Sequence, residues 1–146
     1  MKTLTKKPLP KPPKKLSELI KLALGDLRKA ERSPKCVIDM GTWHSPMAGG
    51  CAVCAAGAVM RGTLGTPDYA FYHPDNFPKP WRNALRAINS LREGFCGSAS
   101  HDLGLSIKNH NKASELSRRI TRYGMDPKQF HADMRKLQRD LEEAGL

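Results

Sequence analysis

The feature that most constrains this chain is an uncharged run, residues 51–60 (CAVCAAGAVM), inside a sequence that is otherwise polar and basic. The run contains only small or apolar residues, so neighbouring elements must approach almost to backbone contact to pack against it. Several of its members recur at the spacing of one helical face: Cys51, Cys54, Ala55, Ala58 and Val59. We therefore predict a buried helix over residues 51–62, in which Gly57 allows a second helix to pack closely.

Helical periodicity also dominates the rest of the chain. The predicted helices cover residues 16–31, 51–62, 80–93, 111–123 and 127–144. Residues 36–40 have the β-branched composition of a strand but are too short to be assigned, and residues 94–111 are rich in glycine, serine and histidine, so we expect them to be irregular. A length of 146 residues fits one domain. The predicted fold is mostly α, a single compact domain of about five helices over residues 16–146, with little or no sheet.

Residues 1–15 differ in composition from this domain. They combine six lysines with four prolines and contain no acidic residue. Proline restricts the backbone and removes hydrogen-bond donors, and the lysines repel one another. We predict a disordered basic arm that contributes just over half of the formal charge of +11, because residues 16–107 are nearly balanced, with ten basic and eight acidic side chains.

Basic residues also recur on the last two predicted helices. Six of them are assigned to an outward face that could bind a partner: Arg118, Arg119, Arg122, Lys128, Arg135 and Arg139. A short connection through Gly124 joins the two helices, as in a helix-turn-helix. The pattern carries no side chain that marks base-specific recognition, so any contact with nucleic acid would be with phosphates. The alternative is a pair of solvated faces on a helical hairpin.

A second candidate partner surface lies in the proline- and aromatic-rich loop over residues 64–80. Rings of this size must either pack on the protein or meet a partner, so we expect the loop to be ordered. The candidate partner-binding residues are Tyr69, Phe71, Tyr72 and Trp81.

The cysteines suggest two kinds of chemistry and one structural alternative. The spacing of Cys51 and Cys54 is half of a zinc site, but a second pair of ligands is missing from the sequence, where Cys36, Cys96, His44, His73 and His101 are the remaining candidates. His44 could instead serve as a base for Cys51. The favoured alternative is that both thiols are small buried core residues, so no metal, no cofactor and no catalytic residue is predicted.

The basic N-terminus lacks the apolar segment of a secretory signal, and no apolar run is long enough to span a membrane, so a reducing cytosol is expected.

The motif C-x-V-C-x-A-G-A-V-M at residues 51–60, preceded by D-M-G-x-W-H at residues 39–44, resembles small proteins encoded by tailed bacteriophages, whose function is unassigned. The resemblance covers roughly residues 16–65. It implies a non-enzymatic protein that binds a host macromolecule in the bacterial cytoplasm, such as an inhibitor of a host enzyme or defence system. A host protein is the favoured partner. The alternatives are a nucleic-acid-binding protein that uses the arm and the C-terminal helices, and a metal- or thiol-dependent enzyme around Cys51 and Cys54.

Overall fold

The computed structural model describes residues 8–146, and the arm lysines Lys2, Lys6 and Lys7 lie outside this range. The described chain contains six α-helices, one short 3-10 helix (Pro74–Asn76) and three strands. The helices are α1 (Leu16–Arg32), α2 (Ala55–Gly62), α3 (Lys79–Leu91), α4 (Cys96–Asp102), α5 (Ile107–Glu115) and α6 (Pro127–Glu143). The strands are β1 (Cys36–Ile38), β2 (His44–Met47) and β3 (Gly50–Val53). The mostly helical prediction is confirmed, but the expected number of helices and the near-absence of a sheet are not.

Helix α1 forms the spine of the core and packs against α2, α3 and α6. Its buried face is mostly aliphatic residues at helical spacing, which is the pattern that predicted it, and it also includes Ser17 and Asp26. Helix α6 begins where predicted, because the carboxylate of Asp126 caps the backbone N–H of Gln129 at 3.1 Å and Pro127 occupies the first turn. The helices predicted over residues 16–31, 80–93 and 127–144 therefore occur with small shifts at their ends. Within residues 8–146, no helix has both the length and the apolar character needed to cross a membrane.

The prediction of one helix over residues 51–62 is wrong in its first third. Residues Gly50–Val53 form the central strand of the sheet, whose order is β1-β3-β2, with β1 parallel and β2 antiparallel to β3. A short buried strand and a buried helix are both uncharged apolar runs, so periodicity alone does not separate them. The chain changes from strand to helix at Cys54, whose sulfur accepts a hydrogen bond from the backbone N–H of Gly57 at 3.3 Å.

Gly57 does permit a close approach, but to a strand-flanking segment and not to a helix. A Cβ atom at this position would overlap the carbonyl oxygen of Trp43. That carbonyl also accepts a hydrogen bond from the backbone N–H of Cys54 at 3.0 Å. The segment entering β2 is thereby fixed on the first turn of α2, which positions the side chain of His44.

The helix predicted over residues 111–123 is displaced. Helix α5 begins earlier, after its cap Ser106, and ends at Glu115, while α4 occupies part of the stretch expected to be irregular. Residues 117–122 are not helical. Their polar groups are held by distant partners: the hydroxyl oxygen of Ser117 accepts a hydrogen bond from Cys96 N at 3.0 Å, and Asp133 accepts one from Thr121 N at 2.8 Å. The Thr121 bond satisfies a backbone donor that a helix would have used, whereas the Ser117 bond involves only its side chain.

The disordered arm predicted over residues 1–15 is wrong for residues 8–15, which have a defined path on the domain. Leu9 packs on the edge of the core, and the backbone carbonyl of Pro10 accepts a hydrogen bond from the indole N–H of Trp81 at 2.6 Å. Lys11 and Lys14 remain exposed. The proline-rich segment is thus part of the folded domain from Pro8 onward.

Candidate functional site

The candidate site is centred on His44, the first residue of β2, whose side chain is completely buried. Its Nδ1 lies 2.6 Å from the hydroxyl oxygen of Thr66, and its Nε2 lies 3.0 Å from the carboxylate of Asp68. Burial lowers the pKa of His44, and this effect outweighs the opposing influence of Asp68. The imidazole is therefore held neutral, with both ring nitrogens engaged.

The same residue holds the far end of the aromatic loop through its backbone. Tyr72 N donates a hydrogen bond to His44 O at 2.9 Å, which extends the sheet beyond β2 by one isolated bridge. The rings of His44 and Tyr72 lie side by side, with centroids 5.8 Å apart. The loop over residues 66–72 is thus attached to His44 at both ends.

Arg61, in the last turn of α2, supports the carboxylate of Asp68 from the other side. Its Nε lies 3.0 Å from Oδ1 and its Nη2 lies 3.4 Å from Oδ2. Partial burial would raise the pKa of Asp68, but the hydrogen bonds from Arg61 and His44 outweigh it and lower the pKa. Asp68 is consequently an anion, and Arg61 holds both of its carboxylate oxygens in place. Its side chain is 28% exposed, so it is the hydrogen-bond acceptor of His44 that solvent can reach.

Cys51 completes the group of residues around His44. It is fully buried, and its sulfur lies 3.2 Å from the sulfur of Cys36, its in-register neighbour on the parallel strand β1. Burial, together with the neighbouring Cys36 and Asp68, raises the pKa of Cys51 to about 12. The ligand atoms of His44, Cys51 and Asp68 all lie within 4.8 Å of one another.

This arrangement does not favour the alternative in which His44 acts as a base for Cys51. Both nitrogens of His44 are directed at Thr66 and Asp68, and a thiol with a raised pKa is a poor nucleophile. Cys54 is separate from the group, because its buried sulfur caps α2. The sulfur of Cys51 therefore lies beside that of Cys36, one of the remaining candidates in the sequence, and the sulfur of Cys54 does not belong to the same group. Sequence reasoning missed Thr66, Asp68 and Arg61, because they lie in or before a loop without periodicity.

The predicted aromatic surface divides into two exposed and two buried residues. Tyr69 and Phe71 are 78% and 53% exposed. Tyr72 and Trp81 are buried, at 7% and 3% exposure, so they offer little surface to a partner. Tyr72 lies against His44, and the indole N–H of Trp81 is used by Pro10.

The predicted basic face is also divided. Arg118 lies in the non-helical segment before α6, is partly buried and forms an ion pair with Asp140. The other five side chains are exposed, and none has a carboxylate within 4.0 Å among residues 8–146: Arg119, Arg122, Lys128, Arg135 and Arg139. Lys128, Arg135 and Arg139 are spaced by 7 and 4 positions on α6, which places them on one outward stripe.

Comparison with known proteins identified no relative. No family model, no curated protein and no solved structure matches this chain.

Proposed function

We propose that this chain is a non-enzymatic binding protein that engages a protein partner through the exposed aromatic loop, residues 66–72. The observation that carries the proposal is the exposure of Tyr69 and Phe71 on a loop whose two ends are both attached to the buried His44. From the resemblance of residues 51–60 to phage proteins, we further propose that the partner is a protein of a bacterial host's cytoplasm, where such binding would inhibit an enzyme or a defence system.

The chemistry of the loop fits protein recognition. Aromatic side chains bury a large apolar area with few rotatable bonds, and they are enriched at the energetic centres of protein interfaces. A loop that is already ordered loses less conformational freedom on binding than a flexible one. Three attachments order this loop before any partner arrives: the side chains of Thr66 and Asp68, and the backbone of Tyr72.

The burial of the nucleophilic side chains supports the assignment to a non-enzymatic class. Cys51 and Cys54 are buried thiols whose pKa values are raised by burial, so neither is activated for attack. Ser100 is also fully buried, and its hydroxyl donates to the carbonyl of Gly97 at 2.8 Å. Each group is occupied in holding the fold together.

A nucleic-acid partner is the second candidate, and the unpaired cations favour it. The stripe of Lys128, Arg135 and Arg139 presents three charges that have no carboxylate partner among the described residues. Helix α6 also carries Asp133, Asp140, Glu142 and Glu143, however, which balance its charge. A phosphate backbone would therefore meet mixed charges along most of this helix, and we rank this candidate below the aromatic loop.

Affinity capture from a bacterial lysate tests the proposal, with the wild-type chain and two single alanine variants as bait. Phe71→Ala removes an exposed ring from the loop, and Ile107→Ala removes a comparably exposed apolar side chain at the start of α5. We expect a specific protein to be retained by wild type and Ile107→Ala, to be lost with Phe71→Ala, and to persist after nuclease treatment. Retention of the same protein by Phe71→Ala would contradict the proposal. Capture that disappears with nuclease, or that falls steeply between about 50 and 200 mM salt, would favour nucleic acid.

A further inference from the structure

Side chains of the kinds that ligate metals lie together at His44: its own imidazole, Cys51 and Asp68, with Cys36 beside Cys51. Cys36, His44 and Cys51 come from three neighbouring strands, and Asp68 comes from the loop attached to His44. We propose that these four residues form a closed binding site for a divalent transition metal of the zinc class.

The identity of the donors selects this class of metal. Two thiols, one imidazole and one carboxylate are the ligand types that zinc takes in four-coordinate protein sites. Hard cations such as calcium and magnesium instead prefer sites made of oxygen atoms. The donor atoms of His44, Cys51 and Asp68 already lie within 4.8 Å of one another, and the sulfur of Cys36 lies 3.2 Å from that of Cys51.

A hydrogen bond with a neighbouring residue fixes the orientation of the His44 ring, as is usual for histidines that bind metals. The Thr66 hydroxyl lies 2.6 Å from Nδ1 of His44, so this nitrogen can donate its proton to Thr66 and leave a lone pair on Nε2. Without a metal, Nε2 can instead carry the proton and donate it to the carboxylate of Asp68 at 3.0 Å; in the tautomer protonated at Nδ1, the lone pair of Nε2 and this carboxylate face each other as two ligands. A cation bound between them would satisfy both. Histidine ligands of metals commonly have their other nitrogen fixed in this way.

The charges also balance when a dication is bound. Binding of M²⁺ converts the Cys36 and Cys51 thiols to thiolates and releases two protons to solvent, while His44 stays neutral and Asp68 stays a carboxylate. The metal and its ligands then carry a net charge of −1, and the guanidinium of Arg61, 3.0 Å from Asp68, compensates it. Without the metal, both thiols are protonated and neutral, and the guanidinium of Arg61 balances the carboxylate of Asp68, so neither state leaves an uncompensated charge.

Access to the site is consistent with loading of the folded protein. His44 and Cys51 are fully buried, whereas the side chain of Asp68 is 28% exposed and Cys36 is half-buried. A metal can therefore reach the donors from the side of Asp68 and Arg61. Four protein ligands would close the coordination sphere, which is the arrangement of a structural and not a catalytic site.

Metal binding by the reduced full-length chain tests the proposal. We expect one equivalent of zinc to bind in competition with a chromophoric chelator, with release of protons. Cobalt(II) in its place should give the thiolate charge-transfer and intense visible bands of a tetrahedral site. Cys36→Ser should lower the charge-transfer intensity, because it removes one of the two thiolates, and Cys96→Ser, which changes a thiol outside the cluster, should bind like wild type. Absence of stoichiometric binding by the reduced wild-type protein would overturn the proposal.

Two further variants separate the site from non-specific binding and from loss of the fold. Thr66→Val removes only the hydroxyl that orients His44, and we expect it to weaken zinc binding by about 10–100-fold, with recovery in Thr66→Ser. Circular dichroism of each metal-free variant shows whether it is folded. Unchanged zinc affinity in both Cys36→Ser and Thr66→Val, with the fold intact, would mean that the metal binds elsewhere. A Cys36–Cys51 disulfide that resists the reducing agent, in protein that binds no metal, would also contradict the proposed site.

Discussion

The indole N–H of Trp81 donates a hydrogen bond to the backbone carbonyl of Pro10 at 2.6 Å, across 71 residues of the chain. The ring itself is buried in the core on α3. This bond joins the proline-rich segment to the domain, together with the partly buried side chain of Leu9. A segment whose composition is typical of disorder is thereby ordered by one buried aromatic residue.

We predict that removing residues 1–14 lowers the free energy of unfolding, because the deletion exposes the core around Trp81. Trp81→Phe retains most of the ring and removes the donor, so it should cost about 0.5–1.5 kcal/mol in the full-length chain. In the truncated chain the same substitution should cost less, since its acceptor is gone. Chemical denaturation of the four proteins measures this coupling. Equal costs of Trp81→Phe in both backgrounds would show that the bond contributes nothing.

Two glycines in helices provide a matched test of packing. A Cβ at Gly57 would overlap the carbonyl oxygen of Trp43, whereas a Cβ at Gly25 in α1 meets no atom within 4 Å. We expect Gly25→Ala to stabilise the protein by about 0.5–1 kcal/mol, because alanine is the better helix former. Gly57→Ala should instead destabilise it by about 1–3 kcal/mol, since a backbone segment must move. Thermal melts of both variants decide the point, and a stabilised Gly57→Ala would contradict the close approach of Trp43.

The sequence predicted the parts of the fold that depend on local pattern. Helices α1, α3 and α6 are long and amphipathic, and α6 has an aspartate cap and a proline in its first turn, so periodicity and end signals agree. Strand β3 was taken for a helix because both of its faces are buried. Helix α5 begins earlier than predicted, after its cap Ser106, and the backbone N–H of Thr121 bonds to Asp133 instead of continuing a helix.

The candidate site was less predictable for a related reason. Cys36, His44 and Cys51 were recognised as possible ligands from their residue types, but the pairing of Cys36 with Cys51 arises from strand register. Asp68 reaches His44 across 24 residues of sequence, through a loop that has no periodicity. Contacts of this kind depend on the assembled fold, so spacing alone could not indicate them.

A buried network between α1 and α6 predicts a defined response to acid. Tyr123 OH donates to the carboxylate of Glu31 at 2.6 Å, and His131 Nε2 lies 2.8 Å from the same oxygen. Burial alone would raise the pKa of Glu31, but these hydrogen bonds outweigh it and lower the pKa. A carboxylate with a lowered pKa in the folded state stabilises the protein above its unfolded pKa. This contribution is lost as the pH falls below about 4.3 and through the lower folded value.

The corresponding experiment compares wild type with Glu31→Gln at two pH values. At pH 7 we expect the variant to be less stable by about 1–2 kcal/mol, because it loses charged hydrogen bonds. At about pH 3 the difference should become smaller, since Glu31 of the wild type is being protonated. Urea denaturation at both pH values gives the two differences. A difference that stays constant would assign the effect of Glu31→Gln to packing and not to ionisation.

The two classes of predicted basic residue should respond differently to charge reversal. Arg118 is partly buried and forms an ion pair with Asp140, and the backbone carbonyl of Arg118 lies against Gly94. Arg118→Glu places two carboxylates together, so we expect a loss of roughly 1–3 kcal/mol in unfolding free energy. Arg135→Glu, on the exposed stripe of α6, should change stability by less than about 0.5 kcal/mol.

This difference determines which reversal can test nucleic-acid binding. A loss of binding in Arg118→Glu would be explained by damage to the fold, whereas the double reversal Arg135→Glu and Arg139→Glu leaves the core contacts of α6 in place. If the aromatic loop is the site, the double variant should bind the captured host protein with wild-type affinity at all salt concentrations. If phosphates are bound instead, its affinity for DNA or RNA should fall and its salt dependence should become shallower, because two phosphate contacts are removed. Binding isotherms of the wild-type and double-variant proteins at about 50 and 200 mM salt distinguish the two outcomes. If the double variant remains folded but no longer binds the host protein, the partner binds α6 and not the loop that contains Phe71.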